Sequence, residues 1–552
     1  MTRLAPPNEF RGVFRDDDDA RAVYAEAAGI GRALPAAIAV PRDAADVATL
    51  VRWASDTRIA LIPRGSGSSM AGGAIGDGVI VDLSRLNAID AVNSSERSVW
   101  VGPGAICDDV NRAARAVGLR LAVDPSSARF CSVGGMVACN AAGAHTLRFG
   151  STRAWVRALR CVFADGSVAV VQRGAPFAGV DIVNRAITSL RSELSSAPRH
   201  ALVRKDSSGY ALSALLEHGD LVDLLVGSEG TLALFVGIEL SLAPLPAATS
   251  SVLGAFARLE DAVAAAVQAR EAGAAACELL DRTFLEVASA AGRGYGIPSG
   301  TESVLLAEVE SADASDAATS ALRIEKLFSA AGANAARVAL DSSTEEELWE
   351  LRHAASPILS RLDPSLKSMQ FIEDGAVPPE HLADYVRGLR AILRAAEVRG
   401  VIFGHAGDAH IHANALVDVS RADWRARVER ILADVVALTA SLGGTLTGEH
   451  GDGRLRTPLL ERVWSDADVH AFARVKRAFD PEGVLNPGVK VPLPGQRPID
   501  EIKYDPSLPS LPAAARRVLE RVERERAYAR SRLDLLAEEK GGAGEGGQGA
   551  ET

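Results

Sequence analysis

The 552-residue sequence predicts an α+β fold built as two main domains. Three observations predict it. Short apolar strands, short helices and glycine loops mix through about residue 243, without the regular alternation of a doubly wound sheet. A proline-marked stretch, APLPAA at 243–248, then interrupts the pattern. Beyond it, long amphipathic helices separate alternating strands, as expected for an antiparallel sheet covered by helices. The boundaries predicted are 1–245, 246–495, and a remainder, 496–552, of linker, charged helix and disordered tail.

The first domain opens with a helix at 44–55, where Val47, Leu50, Val51 and Ala54 share one face. Strands follow at 59–62, 79–83 and 98–101, then a helix at 107–117. A strand at 156–164 runs into Asp165-Gly166, a hairpin signal. In the second domain helices are predicted at 261–272, 317–331, 380–396 and 421–442. Strands are predicted at 276–280, 304–309, 368–373, 401–403 and 410–416. Alternating charges over 512–540 predict a helix with a solvated face, and GGAGEGGQGAET cannot bury enough surface to order itself.

Composition narrows the function. With 60 basic and 71 acidic residues the formal charge is −11, which argues against nucleic acid as a partner. Cys107, Cys131, Cys139, Cys161 and Cys277 form no C-x-x-C pair and read as buried free thiols, which fits a reducing, cytoplasmic compartment. The first twenty residues carry an acidic run and no apolar signal core, and no run of about 18 apolar residues predicts a membrane span. Peripheral contact with a membrane stays open.

Three glycine segments carry the first functional signal. In PRGSGSSMAGGA, residues 63–74, close-spaced glycines let successive backbone N–H groups converge on an anion, and three serines add hydroxyls. It lacks the Gly-Lys-Ser/Thr ending of a Walker A loop and the spacing of the dinucleotide fingerprint. In CSVGGMVACNAAG, residues 131–143, Gly134 and Gly135 open a helix of small residues whose N-terminus favours negative charge. GSEGTLALF, residues 227–235, is a tight polar turn before an apolar strand.

The second signal is a histidine–carboxylate cluster. GHAGDAHIHAN, residues 404–414, carries three histidines on a loop entering a strand, and alternation puts His410 and His412 on one face. TGEHGDG, residues 447–453, adds Glu449 and His450. Two imidazoles and a carboxylate suit a borderline divalent cation.

In this order, with VGPGAICDDVNRAARAVGLRLAVDPSS between the first two, the glycine segments resemble the FAD domain of the vanillyl-alcohol oxidase superfamily. The later part resembles its branch containing D-lactate dehydrogenase, glycolate oxidase and D-2-hydroxyglutarate dehydrogenase. The similarity runs from about residue 20 to residue 490. It implies a two-part FAD-binding domain and an α+β substrate (cap) domain with an antiparallel sheet. It also implies that Arg64, Gly65, Ser66, Gly67, Ser68 and Ser69 wrap the FAD diphosphate. Pro125, Ser132, Gly134, Gly135, Ala138 and Gly143 would line the flavin, with Thr152 and Glu229 nearby. Residues 63–74 hold no histidine, so the FAD is expected to be noncovalent, and His145 does not match the position of a flavin-linking histidine.

By the same resemblance His405, His412 and Glu449 hold a divalent metal, zinc or manganese, Asn414 contacts substrate, and His450 is the catalytic base. The chain has Ala409-His410 where the family usually has Gly-Asn, which puts metal identity and substrate size in question. The branch places an Arg, a hydroxyl residue and a Lys at spacings met by Arg352, Ser356 and Lys367, the expected grip on the substrate carboxylate. The implied reaction is oxidation of a D-2-hydroxy acid, D-lactate or D-2-hydroxyglutarate, to its 2-oxo acid by hydride transfer to flavin N5. FIEDGAVPPEHLADYV, residues 371–386, is closest to a bacterial version carrying a fused iron–sulfur region. A separate acceptor, a quinone, cytochrome or flavoprotein, would therefore take the electrons, and a homodimer is compatible with the sequence. Another flavin oxidase of alcohols or sugar lactones, a flavin electron-transfer subunit, and a metal-dependent hydrolase are the alternatives.

Overall fold

The computed structural model describes residues 4–176, 179–193, 203–289, 296–353 and 365–542. The first domain begins with strands β1 (Val13–Arg15), β2 (Ala37–Val40), β3 (Leu61–Arg64) and β4 (Val79–Asp82), ordered β1-β2-β4-β3. β2 and β3 both run parallel to β4, and β1 is antiparallel to β2. The crossover helix Ala44–Thr57 starts where Asp43 accepts a hydrogen bond from the Asp46 N–H and stops where Arg58 turns left-handed. Its predicted face, Val47, Leu50, Val51 and Ala54, is fully buried.

A second, antiparallel sheet joins β5 (Ser98–Val101), β7 (Val156–Val162), β8 (Val168–Gln172) and β9 (Leu234–Ser241) in the order β5-β9-β7-β8. β7 and β8 form the hairpin predicted at Asp165-Gly166. Between these sheets, β6 (Leu119–Arg120) pairs with β10 (Ala243–Pro244). Leu460, Trp464, Phe472, Phe479 and Leu485 also enter this core. Sequence order assigns them to the second domain, but the helix Asp466–Phe479 lays its apolar side against the helix Asp181–Glu193 of the first.

The second domain is one eight-stranded antiparallel sheet. It contains β11 (Ala248–Phe256), β12 (Ala276–Asp281), β13 (Ser303–Ser311), β14 (Ala333–Ala339), β15 (Leu366–Met369), β16 (Gly375–Ala376), β17 (Arg399–His405) and β18 (His410–Asp418). Its order is β14-β11-β13-β12-β17-β18-β15, with β16 also on β18. The helices Leu259–Glu271, Ala314–Ala330, Leu382–Ala395 and Trp424–Ser441 cover one face and bury Leu279, Ile402, Ile411, Ala413 and Val417. The other face carries Leu280, Val401, Phe403 and Leu416 against the helix Arg282–Ser289. The strand expected at 368–373 ends at Met369, so Glu373 and Asp374 sit in the connection to β16 rather than in a ladder.

The charged stretch expected as one solvated helix is two helices, Ala513–Glu525 and Arg532–Gly542. Apart from the buried Arg532, their charges face solvent, while Ala515, Val518, Val522, Leu533, Leu535 and Leu536 pack on Ile38, Ile62 and Ile80 of the first sheet. A left-handed Arg526 breaks the run. The segment GGAGEGGQGAET lies outside the described residues, apart from its first two glycines. Among the described residues no helix is long and apolar enough to cross a membrane.

Candidate active site

The glycine loop leaves β3 with its backbone donors unspent. Among the described residues none accepts a hydrogen bond from the N–H groups of Ser66 through Met70, and the buried Ser69 hydroxyl has no partner. Ser66 and Ser68 pair through their hydroxyls at 3.0 Å. These donors form an anion cradle, which fits a diphosphate. The Arg64 guanidinium is turned into the protein. It donates to the carbonyls of Tyr24 (3.1 Å), Glu26 (2.8 Å) and Ala74 (3.3 Å) and so braces the loop from beneath.

The second glycine segment abuts the first. A Cβ on Gly65 would lie 2.0 Å from the Ser132 hydroxyl, so any larger residue would displace that hydroxyl where the two segments meet. Ser132 caps the helix Val133–Cys139 by accepting from the Gly135 N–H at 3.3 Å. Gly134, Gly135 and Ala138 leave a half-buried face without large side chains, and Pro125 is half-buried beside it in the chain. Gly143 packs on the Asp124 carbonyl, and Thr152 donates to the Ala141 carbonyl at 2.6 Å. The Glu229 N–H donates to the Ala138 carbonyl of this helix at 2.9 Å. Its carboxylate accepts from the N–H groups of Asp452 (2.7 Å) and Gly453 (3.0 Å) and pairs with Lys490, which ties the second histidine motif to the glycine loop.

The histidine motifs converge as expected. His405 ends β17, His412 lies on β18 two residues beyond His410 and on the same face, and Glu449 comes from the return loop. His405 Nε2, His412 Nε2 and Glu449 Oε1 stand 3.4–3.5 Å from one another. Metal–ligand bonds of 2.0–2.1 Å in tetrahedral geometry require edges of about 3.3–3.4 Å, so these three atoms form a face that a cation fits. Both imidazoles are fixed from behind. His405 Nδ1–H donates to Glu278 at 2.5 Å, and His412 Nδ1–H donates to the Glu373 carbonyl at 2.7 Å. Burial opposes the charge of His405, but Glu278 and Glu449 lift its pKa to about 8, while burial lowers that of His412; with a cation in place each ring would offer an unprotonated Nε2, the arrangement of ligating histidines.

His410 stands beside that face, within the same cluster of potential ligands. Its Nε2 bonds Asp374 at 2.8 Å, and its buried Nδ1 lies 3.9 Å from the other Glu449 oxygen without a partner. Burial, the largest influence, pushes its pKa down to about 3, so it stays neutral. His450 is the most accessible of the four and stacks on His412, with ring centroids 5.4 Å apart. Burial pushes its pKa down, but Asp374, Glu373 and Glu449 outweigh burial and lift it to about 9. A divalent cation sharing Glu449 would oppose that lift by like-charge repulsion.

The expected carboxylate grip is only partly assembled. Arg352 donates to Glu278 at 2.7 Å and lies over the Phe403 ring, one carboxylate away from His405. Asn414 follows His412 on the same strand face, half-buried. Ser356 lies outside the described residues. Lys367 is not brought to the site. It stands opposite Val417, on the helix-covered face of the sheet, with its ammonium over Tyr504. Spacing along the chain carries no information about strand face, and alternation here selects the wrong one.

Five residues that the sequence reading did not single out complete the site. Lys205 donates to the Gly143 carbonyl at 3.1 Å and to Glu449 at 3.0 Å, spanning the glycine segment and the histidine cluster. Glu278 holds both His405 and Arg352, which keep its carboxyl well below the usual range against the opposing push of burial. Asp374 accepts from the N–H groups of Glu449 and His450, and Arg456 pairs with Glu373. A glutamate inside the apolar strand ACELLD is the one local sign the sequence offered.

Two family models match the chain: an FAD binding domain over residues 35–172, and the FAD linked oxidases, C-terminal domain, over residues 245–489. A glycolate oxidase subunit GlcD of Bacillus subtilis is 30% identical over 481 residues, covering 86% of this chain and 93% of that protein. A D-2-hydroxyglutarate dehydrogenase of Escherichia coli is 30% identical over 497 residues, but the chain spans only 48% of that longer protein. Among solved structures, a 4-ethylphenol oxidase from Gulosibacter chungangensis superposes with a TM-score of 0.65 over 87% of this chain and 94% of that one, at 15% identity. With its anion cradle, two-part fold and antiparallel cap sheet, the chain belongs to the FAD-linked oxidase family of the vanillyl-alcohol oxidase superfamily, in the branch of glycolate oxidase and D-2-hydroxyglutarate dehydrogenase, and is an FAD-dependent oxidoreductase.

Proposed function

We propose that the protein oxidises a D-2-hydroxy acid, D-lactate or D-2-hydroxyglutarate, to the 2-oxo acid. The observation that carries this reading is the Lys205 ammonium, within 3.1 Å of both the Gly143 carbonyl and the Glu449 carboxylate. It puts the segment expected to line the flavin beside the cluster able to hold a hydroxyl group. FAD, when bound, supplies the acceptor for the C2 hydrogen as hydride at N5. A divalent cation, zinc or manganese, would be held by His405, His412 and Glu449 and would supply Lewis-acid polarisation of the substrate hydroxyl.

The chain's own residues do the rest. Arg352 and Asn414 orient the substrate, Arg352 through its charge and Asn414 from the strand face beside His412. His450 takes the hydroxyl proton, and Glu373 and Asp374 stabilise the resulting imidazolium. The product leaves as a 2-oxo acid, and the electrons pass to a separate acceptor.

The test is an anaerobic titration of flavin absorbance with D-lactate, D-2-hydroxyglutarate and their L isomers. Bleaching by one D acid names the substrate. Yellow protein that no acid bleaches, with zinc or manganese supplied, would refute the reading. His450→Ala should keep its FAD and lose at least about a hundredfold in the rate of flavin reduction.

A further inference from the structure

Beneath the anion cradle lies a second arginine, and it comes from the far end of the chain. Arg532 opens the helix Arg532–Gly542, outside both regions matched by the family models. It is 3% exposed. Its guanidinium donates to the carbonyls of Ala527 (3.2 Å), Arg530 (3.3 Å) and Ser66 (3.4 Å), the last within the glycine loop itself. Among the described residues its buried Nε–H has no hydrogen-bond partner. Arg64, 2% exposed, is bonded only to carbonyls and lies directly under Gly67, whose added Cβ would meet it at 2.5 Å.

The charge balance there is open. Among the described residues neither arginine has a carboxylate within ion-pair distance. The buried Asp82 carboxylate, which accepts from the Tyr24 hydroxyl and the Ser84 N–H, offsets part of this charge through space, but one carboxylate faces two guanidiniums. Two buried guanidiniums with no paired anion are costly. Burial and the charge of Arg64 push the Arg532 pKa down to about 10, a sign of that cost. Directly above, Ser66 through Met70 present unspent N–H groups and Ser69 an unspent hydroxyl. A diphosphate in the cradle supplies the missing negative charge. The tail is also fastened just ahead of the second glycine segment, where Tyr528 packs on Phe130 with ring centroids 5.5 Å apart.

We propose that the helix pair 513–542 is a clamp on the diphosphate end of FAD, with Arg532 the positioning residue that holds the Ser66 carbonyl and completes the charge of the cradle. Arg532 acts through the loop and through its field, not by contact with the reacting atoms. The proposal rests on FAD occupying this loop.

The test uses the full-length protein, stripped of flavin and titrated with FAD, following quenching of flavin fluorescence, with release followed after dilution. Arg532→Met should raise the Kd for FAD and the release rate by about tenfold, the loss expected for one charge-assisted interaction. Arg532→Lys, which keeps the charge and loses the fork, should fall between. The melting temperature of the flavin-free protein should hold or rise in Arg532→Met, because an uncompensated buried charge is gone, while the rise on adding FAD shrinks. Inorganic pyrophosphate alone should stabilise flavin-free wild type more than Arg532→Met. Arg517→Met, on the exposed side of the same helix pair, should change none of these. An unchanged FAD Kd with a lowered flavin-free melting temperature would overturn the clamp and leave Arg532 a packing residue. Should Arg532→Met not fold, equal FAD affinity in Arg532→Lys and wild type would overturn it as well. Failure of wild type to take up FAD would instead overturn the cofactor reading beneath it.

Discussion

Glu278 shows how one side chain sets the chemistry of two others. Fully buried on β12, it fixes the tautomer of His405 and holds Arg352. Glu278→Gln keeps the shape but cannot serve as a charged acceptor for both. It is expected to weaken activation by added zinc or manganese by about 10–100-fold while FAD content stays unchanged, read by metal titration of flavin reduction. Unchanged metal dependence would remove Glu278 from the site. At this scale the sequence was half legible. His405, His412, Glu449 and His450 announce themselves because histidines and a glutamate cluster between glycines. Lys205, Glu278, Asp374 and Arg456 come from four distant segments, and only the fold gathers them. Lys367 misled because its spacing from Arg352 matched while its strand face did not.

At the scale of elements, the contact between the two glycine segments has little room for a single methyl group. Gly65→Ala would drive a Cβ into Ser132 and part the loop from the helix Val133–Cys139. FAD occupancy should fall by about tenfold or more, since overpacking at such a contact costs about 1–3 kcal/mol. The absorbance ratio of flavin to protein in the purified chain measures it, and full occupancy would show that the segments can separate without loss. Most elements were legible from periodicity: the crossover helix, the β7–β8 hairpin and the helices over the cap sheet match their expected ranges closely. The C-terminal pair was not. Its first helix does carry an apolar stripe, Ala515, Val518, Leu519 and Val522, but charges dominate the composition, and the left-handed turn at Arg526 that splits the stretch in two leaves no glycine or proline to mark it.

Across the whole molecule, His145 joins the domains. Its ring bonds Asp124 of the first domain at 2.6 Å and Glu308 of the cap sheet at 2.7 Å. Burial opposes its charge, but the two carboxylates prevail and lift its pKa to about 11. A raised folded-state value stabilises fully below the ordinary histidine pKa near 6.5 and fades as pH climbs toward 11. His145→Gln should therefore cost about 2–4 kcal/mol at pH 6 and progressively less by pH 9, read by denaturant unfolding. A penalty independent of pH would mean that the ring packs without its charge. The two-domain plan was legible because the pattern changes at the proline-marked boundary. The seam between the domains was not, since sequence alone gave His145 no partner.

The packing of helices 513–542 on the first sheet also fixes an order of events. Strands β1 to β4 leave the ribosome long before the residues that cover their outer face, and Lys540 pairs with Asp19 only when both ends are present. Until then Ile38, Ile62 and Ile80 stand uncovered beside a half-built cradle. The sheet beneath the cradle is therefore made well before the helices that cover it, and the cradle gains its Arg532 support only once they have docked.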